Sequence, residues 1–94
     1  MATLLPQTDL DALMKRIPEW DTDKKAIERT FEFDDFSQAI DFVNSVAEIA
    51  EEEDHHPDID IRWNKVRLSL STHSEGGLTE LDFQVARKID NLAE

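Results

Sequence analysis

Three histidines, His55, His56 and His73, carry the chemistry this sequence can offer. Imidazole, with an unperturbed pKa of ~6.5, is the side chain that gives or takes a proton near neutrality. Two imidazoles flanking a small substrate can serve as acid and base in one reaction. A hairpin explains how residues so far apart in the chain would meet. Two strands around a tight turn at Asn64-Lys65 set Trp63 against Val66, Ile61 against Leu68 and Ile59 against Leu70. Every apolar side chain of both strands then falls on one face, and a one-residue slip would move half of them off it. Followed to its open end, the same ladder puts His56 opposite His73 with His55 beside them, so Glu51 to Asp82 reads as one site.

Other chemistries fit these residues less well. Three histidines and a carboxylate could complete a zinc tetrahedron. The adjacent His55 and His56 tend to diverge, however, and no His-x-His or His-x3-His pair presents two nitrogens on one face, so no metal is expected. The chain has no cysteine, which removes a thiolate nucleophile, a disulfide framework and cysteine-based zinc binding. No Gly-x-Ser-x-Gly elbow positions a serine, and Gly76 and Gly77, the only glycines, do not form a phosphate-cradling loop. Glu51 stands four residues before His55, so its carboxylate lies beside that imidazole if the helix persists one more turn. Trp63 has a place on the apolar face, whereas Trp20 could stack on a flat heterocycle near a polar pocket.

Composition narrows the partners. A net charge of −12 argues against nucleic acid, whose recognition needs clustered Lys and Arg, and equally against an anionic membrane surface. A neutral or weakly charged small molecule fits better. The N-terminal stretch lacks the basic region and apolar run of a signal peptide, and no apolar run approaches the ~20 residues of a membrane span. A cytoplasmic protein is the expectation. With 94 residues, 39% of them hydrophobic, residues 1–94 form a single domain with a small core.

The elements that must position the histidines follow from periodicity. Thr8 is a helix N-cap, and Leu10, Leu13, Met14 and Ile17 make a stripe closed by Pro18. A short strand opens at Trp20. From Ala26 to Phe33 the alternation is clear, with Ile27, Phe31 and Phe33 on one face together with Arg29. Asp34 or Asp35 caps the longest helix, whose core stripe is Phe36, Ala39, Ile40, Val43, Val46, Ala47 and Ala50. Phe42 and Ile49 form a second flank, suited to the sheet or to another subunit. After the hairpin and a flexible loop through Ser74 to Gly77, Thr79 caps the last helix with Asp82 at its third position. Leu81, Val85, Ile89 and Leu92 form its buried stripe. The order α-β-β-α-β-β-α with two hairpins predicts an α+β fold: a four-stranded antiparallel sheet, polar on one face, with three helices packed on the other.

These residues resemble the pterin-4a-carbinolamine dehydratase family. The resemblance rests on Glu51-x3-His55-His56-Pro57, Trp63-Asn64-Lys65-Val66, Leu70-Ser71-Thr72-His73, and Gly77-Leu78-Thr79 with Asp82. Upstream, Trp20, Phe31-x-Phe33-x2-Phe36, Ala39 and Phe42 extend it over nearly the whole chain. It implies the fold just derived, assembly as a homodimer or homotetramer, and no metal or organic cofactor. The implied reaction is dehydration of 4a-hydroxytetrahydrobiopterin to quinonoid dihydropterin, in tetrahydrobiopterin recycling after aromatic amino-acid hydroxylation. By that resemblance His55 and His73 are the acid–base pair and His56 mainly binds the pterin. Asp54, Ser71, Thr72 and Ser74 line the pocket, Glu51 orients His55, and Asp82 supports the His73 loop. Ser74 stands where many relatives carry an acidic residue, and Glu19 where Gly is common. A non-catalytic binding or assembly module on the same fold is the alternative, although a pure scaffold has no use for three histidines.

Overall fold

The computed structural model describes residues 3–93. Helix α1 (Gln7–Met14) leads to a short strand β1 (Asp21–Thr22), then β2 (Ile27–Glu32) and the long helix α2 (Phe36–Glu53). Strands β3 (Asp58–Arg62) and β4 (Lys65–Leu70) follow, then a 3-10 turn (His73–Glu75) and helix α3 (Glu80–Ala93). The four strands form one antiparallel sheet in the order β1-β2-β4-β3, with the helices on one face, as expected. Ile27, Phe31, Val66, Leu68 and Leu70 point into the helix layer and meet Val46, Phe83, Val85 and Ile89. Burying each such side chain contributes about 1.5–3 kcal/mol. Among the described residues, no helix is long and apolar enough to cross a membrane.

The hairpin is where expectation and structure part. Arg62 pairs with Lys65, Ile61 with Val66 and Ile59 with Leu68, so the turn is Trp63-Asn64 and the register differs from the expected one by two residues. Asn64 sets it. Its side-chain amide donates to the Phe33 carbonyl at 2.9 Å, and its own carbonyl accepts from the Phe33 amide at 2.9 Å, clipping the turn to the end of β2. An even displacement keeps every side chain on its face, so the apolar alternation survives. Trp63 does not keep its expected place: it takes a left-handed φ of 52° and stands 68% exposed. Carried back beyond Asp58, this register would bring His56 level with Ser71 and not with His73.

Helix α2 is also rotated relative to expectation. Asp35 caps it, accepting from the Gln38 amide at 2.8 Å. Phe42 sits between the rings of Phe31 (4.7 Å) and Phe33 (5.0 Å), and these aromatic contacts turn the Phe42–Ile49 flank inward. That flank therefore packs on this chain's own core, Phe42 within it and Ile49 partly buried against it. Phe36 and Ala47, expected in the core, face solvent. Smaller differences lie at the ends. Pro6, not Thr8, is the N-cap of α1, and Leu92 is exposed beyond the sheet.

Trp20 is buried, not at a pocket rim. Its ring meets Phe31 edge-on at 6.3 Å and its indole N–H donates to Asp90 at 2.7 Å. No face of the ring is left for a ligand.

Candidate active site

The start of α3 builds the centre of the site. Thr79 accepts from the Leu81 amide at 3.3 Å, while Asp82 accepts from the Thr79 amide at 2.9 Å, a reciprocal cap of the expected kind. Asp82 is 0% exposed, and a buried carboxylate is tolerable only when its oxygens are satisfied. Thr72 donates its hydroxyl to Asp82 Oδ2 at 2.9 Å, and His55 Nε2 lies 2.5 Å from Oδ1. The Thr72 hydroxyl has one hydrogen, already directed at Asp82. The 2.7 Å contact between the two threonine hydroxyls therefore has Thr79 as donor. A single proton order runs from Leu81 through Thr79 and Thr72 to the carboxylate. Donation from His55 Nε2 to this carboxylate would leave Nδ1 as the ring nitrogen turned to a substrate.

His55 reaches Asp82 because α2 stops abruptly. Asp54 adopts a left-handed conformation, φ 50°, the His55 amide bonds back to the Ala50 carbonyl at 3.1 Å, and the Asp54 amide to Glu51 at 3.4 Å. This is the Schellman ending of a helix, here with Asp in the position glycine usually takes. The reversal overturns the expected Glu51–His55 pairing, which needed the helix to continue. Instead Glu51 Oε2 meets His56 Nε2 at 2.5 Å, on an exposed surface where ion pairs contribute little. Asp82, expected to serve the His73 loop, is the partner of His55. It touches that loop only at its base, through Thr72.

His73 opens the 3-10 turn immediately after Thr72 and is exposed. The loop is closed at its base. Thr72 and Gly77 exchange backbone bonds of 2.9 and 3.4 Å, and the Glu75 amide returns to the Thr72 carbonyl at 2.9 Å. Gly76 has φ 76°, a value L side chains rarely adopt. A Cβ on Gly77 would lie 3.1 Å from the Leu4 side chain.

The structure thus gathers His55, Asp82, Thr72 and the base of the His73 loop. His56 and Glu51 form a neighbouring exposed pair. Ser71 turns its hydroxyl to the Lys25 carbonyl at 2.7 Å, while Asp54 and Ser74 are exposed on their turns. Among the described residues, no group of three His, Cys, Asp or Glu side chains is placed to hold a metal ion. Two contributors escaped the sequence reading. Thr79 was legible only as a cap. Glu53 pairs with Lys88, tying the end of α2 to α3 and holding the lysine above its ordinary value of 10.5 through that hydrogen bond.

The domain is α+β with an open polar sheet face, and a buried helix-capping carboxylate holds one histidine. The family model for pterin 4 alpha carbinolamine dehydratase matches residues 3–92, and the chain belongs to that family. Relatives named after pterin-4-alpha-carbinolamine dehydratase include one from Picosynechococcus sp., 49% identical over 98% of this chain and 100% of its own length. Another, from Acidobacterium capsulatum, is 51% identical over 98% of this chain and 99% of its own. The crystal structure of a transcriptional coactivator/pterin dehydratase from Brucella melitensis superposes with a TM-score of 0.90 at 38% identity, covering 96% of this chain and 98% of that one. A pterin dehydratase-like RuBisCO assembly factor of the alpha-carboxysome shares the fold, with a TM-score of 0.64 at 24% identity over 79% of this chain and 86% of that one.

Proposed function

We propose that this protein is a 4a-hydroxytetrahydrobiopterin dehydratase, a hydro-lyase that forms quinonoid dihydropterin and water by histidine acid–base catalysis. The observation that carries the reading is the His55–Asp82 pair at 2.5 Å, with Thr72 fixing the same carboxylate and His73 next in the chain. Loss of water needs a proton delivered to the 4a-hydroxyl, cleavage of the carbon–oxygen bond, and removal of a proton from the adjacent ring nitrogen. His55 Nδ1 is the base, and Asp82 stabilises the imidazolium that forms. His73 is the acid. His56, oriented by Glu51, contacts the pterin, with Asp54, Thr72, Ser74 and Ser71 around it. The supply of substrate would be a hydroxylation that leaves the oxidised pterin as its carbinolamine.

The test follows 4a-hydroxytetrahydropterin optically with purified protein in the presence of a chelator. The loss is expected to be accelerated and unaffected by the chelator. A rate equal to the spontaneous one would leave a binding or assembly module, the reading that the coactivator and assembly-factor descriptions of the structural relatives would then favour. Chelator-sensitive activity would point to a metal.

The same reading includes self-association as a homodimer or homotetramer. Edge strand β3 turns Ile59 (39% exposed) and Ile61 (36% exposed) toward the helix side, where α2 does not cover them, and Trp63 stands beyond. Exposed apolar edges of this kind invite pairing with another chain. Sedimentation velocity is expected to give two or four copies, and Ile61→Asp to shift the protein to monomer. A monomeric wild type would rule the assembly out.

A further inference from the structure

We infer that this chain has a second small-molecule site, remote from the histidines, that takes an organic monoanion through a carboxylate. Beside the C-terminal half of α3 lies a hollow of about 500 Å³ lined by Arg16, Glu19, Arg29, Arg87, Asp90 and Asn91. Hollows of a few hundred cubic ångströms are the size that drug-sized ligands occupy. In a chain of net charge −12 with five arginines, three of them line this one space. Against them stand Glu19 and Asp90, which leaves the described lining one unit positive. That balance favours a single negative charge and disfavours a dianion.

One arginine is preset. Arg29 lies on the helix-facing side of β2, directly opposite Leu68, where a charge needs a reason to be. Its Nη1 donates to Asp90 at 2.7 Å, and its guanidinium lies 4.2 Å from the centre of the Phe31 ring. The same Asp90 oxygen, Oδ1, also accepts from the Trp20 indole N–H at 2.7 Å. A guanidinium is a planar fork of five N–H donors, so Arg29 fixed through Nη1 keeps donors in a defined plane. Such a fork matches the two oxygens of a carboxylate. Arg16 and Arg87 approach from α1's end and from α3, and Asn91 adds an amide that can donate or accept. The end of α3 brings partial negative charge from its last carbonyls, so more than one arginine is needed for net attraction.

Trp20 reports on the site through Asp90. In a Trp63→Phe variant, which leaves Trp20 as the only tryptophan, benzoate is expected to change Trp20 emission saturably at constant ionic strength, and neutral benzamide is not. Amide shifts in a two-dimensional NMR spectrum should move around residues 16–20, 29 and 87–91 and not around His55. In the Arg16→Gln/Arg87→Gln variant, benzoate binding should weaken at least about tenfold, the effect of losing charge-assisted hydrogen bonds. Equal binding of benzoate and benzamide, preference for inorganic phosphate, or no saturable binding would each overturn the assignment. The readout does not use pterin turnover, so it stands or falls apart from the dehydratase reading.

Discussion

Asp82→Asn is expected to lower kcat for pterin dehydration about 10²–10⁴-fold while leaving a cooperatively folded domain. The argument is atomic. Asp82 Oδ2 takes the Thr79 amide and the Thr72 hydroxyl, and Oδ1 faces His55 Nε2. An asparagine keeps both first contacts by setting its carbonyl oxygen at the Oδ2 position, so the cap of α3 survives. Its amide nitrogen then faces His55 and donates where the carboxylate accepted. The imidazole must present a lone pair on Nε2 and move its hydrogen to Nδ1, the nitrogen assigned to take the substrate's proton. The variant also loses the charge that stabilises an imidazolium. Asp82→Ala is the wrong comparison, because it strands the buried Thr79 amide and costs about 1–3 kcal/mol for each polar group left without a partner. The checks are steady-state turnover, thermal melting, and the nitrogen NMR shifts of His55, which report the tautomer directly. Turnover within about twofold of wild type, a margin far inside general acid–base effects, would remove Asp82 and His55 from the mechanism.

His73→Ala should be nearly as damaging to turnover, by about 10²–10⁴-fold, and nearly silent in stability, within about 0.5 kcal/mol. The side chain is exposed and makes no hydrogen bond among the described residues, so its removal leaves nothing buried unsatisfied. What shapes the loop is backbone: the Thr72–Gly77 bridge, the Gly76 amide on the His73 carbonyl at 3.1 Å, and the left-handed Gly76. Alanine keeps all of these. Dehydration rates and urea midpoints measured on the same preparation separate the two effects. A variant with normal turnover would assign the acid elsewhere, with His56 the next candidate. A variant that loses both activity and stability would show that His73 holds the loop.

The local features of the fold were legible because the residues that make them are close in sequence. The β2 alternation, the Asp35 cap and the Thr79–Asp82 box each involve side chains within a few residues of one another. The hairpin register was not. Side chains in a strand repeat every two residues, so two registers differing by two bury the same face equally well. The choice between them is made by Phe33, 31 positions from Asn64. Trp20 was misread for a similar reason, since the partner of its indole, Asp90, lies 70 positions away. In the site, the three histidines and Asp82 were all visible as chemistry. Who pairs with whom was not, because it depends on one backbone angle at Asp54. Had α2 continued, Glu51 would have lain against His55. Left-handed Asp54 sends His55 to Asp82 and gives Glu51 to His56.

The cap of α3 has a consequence for how this domain can lose its activity. One carboxylate both caps the start of the helix and holds His55. Opening of the first turn of α3 would therefore withdraw the partner of His55 in the same event. The population of competent molecules is then set by the free energy of opening one helical turn, which is smaller than the free energy of unfolding the domain. Activity should fade on heating while the sheet is still intact. For the proposed dehydratase the expected ceiling on the working temperature therefore lies in the turn from Thr79 to Asp82, and activity that persists until the sheet itself melts would overturn it.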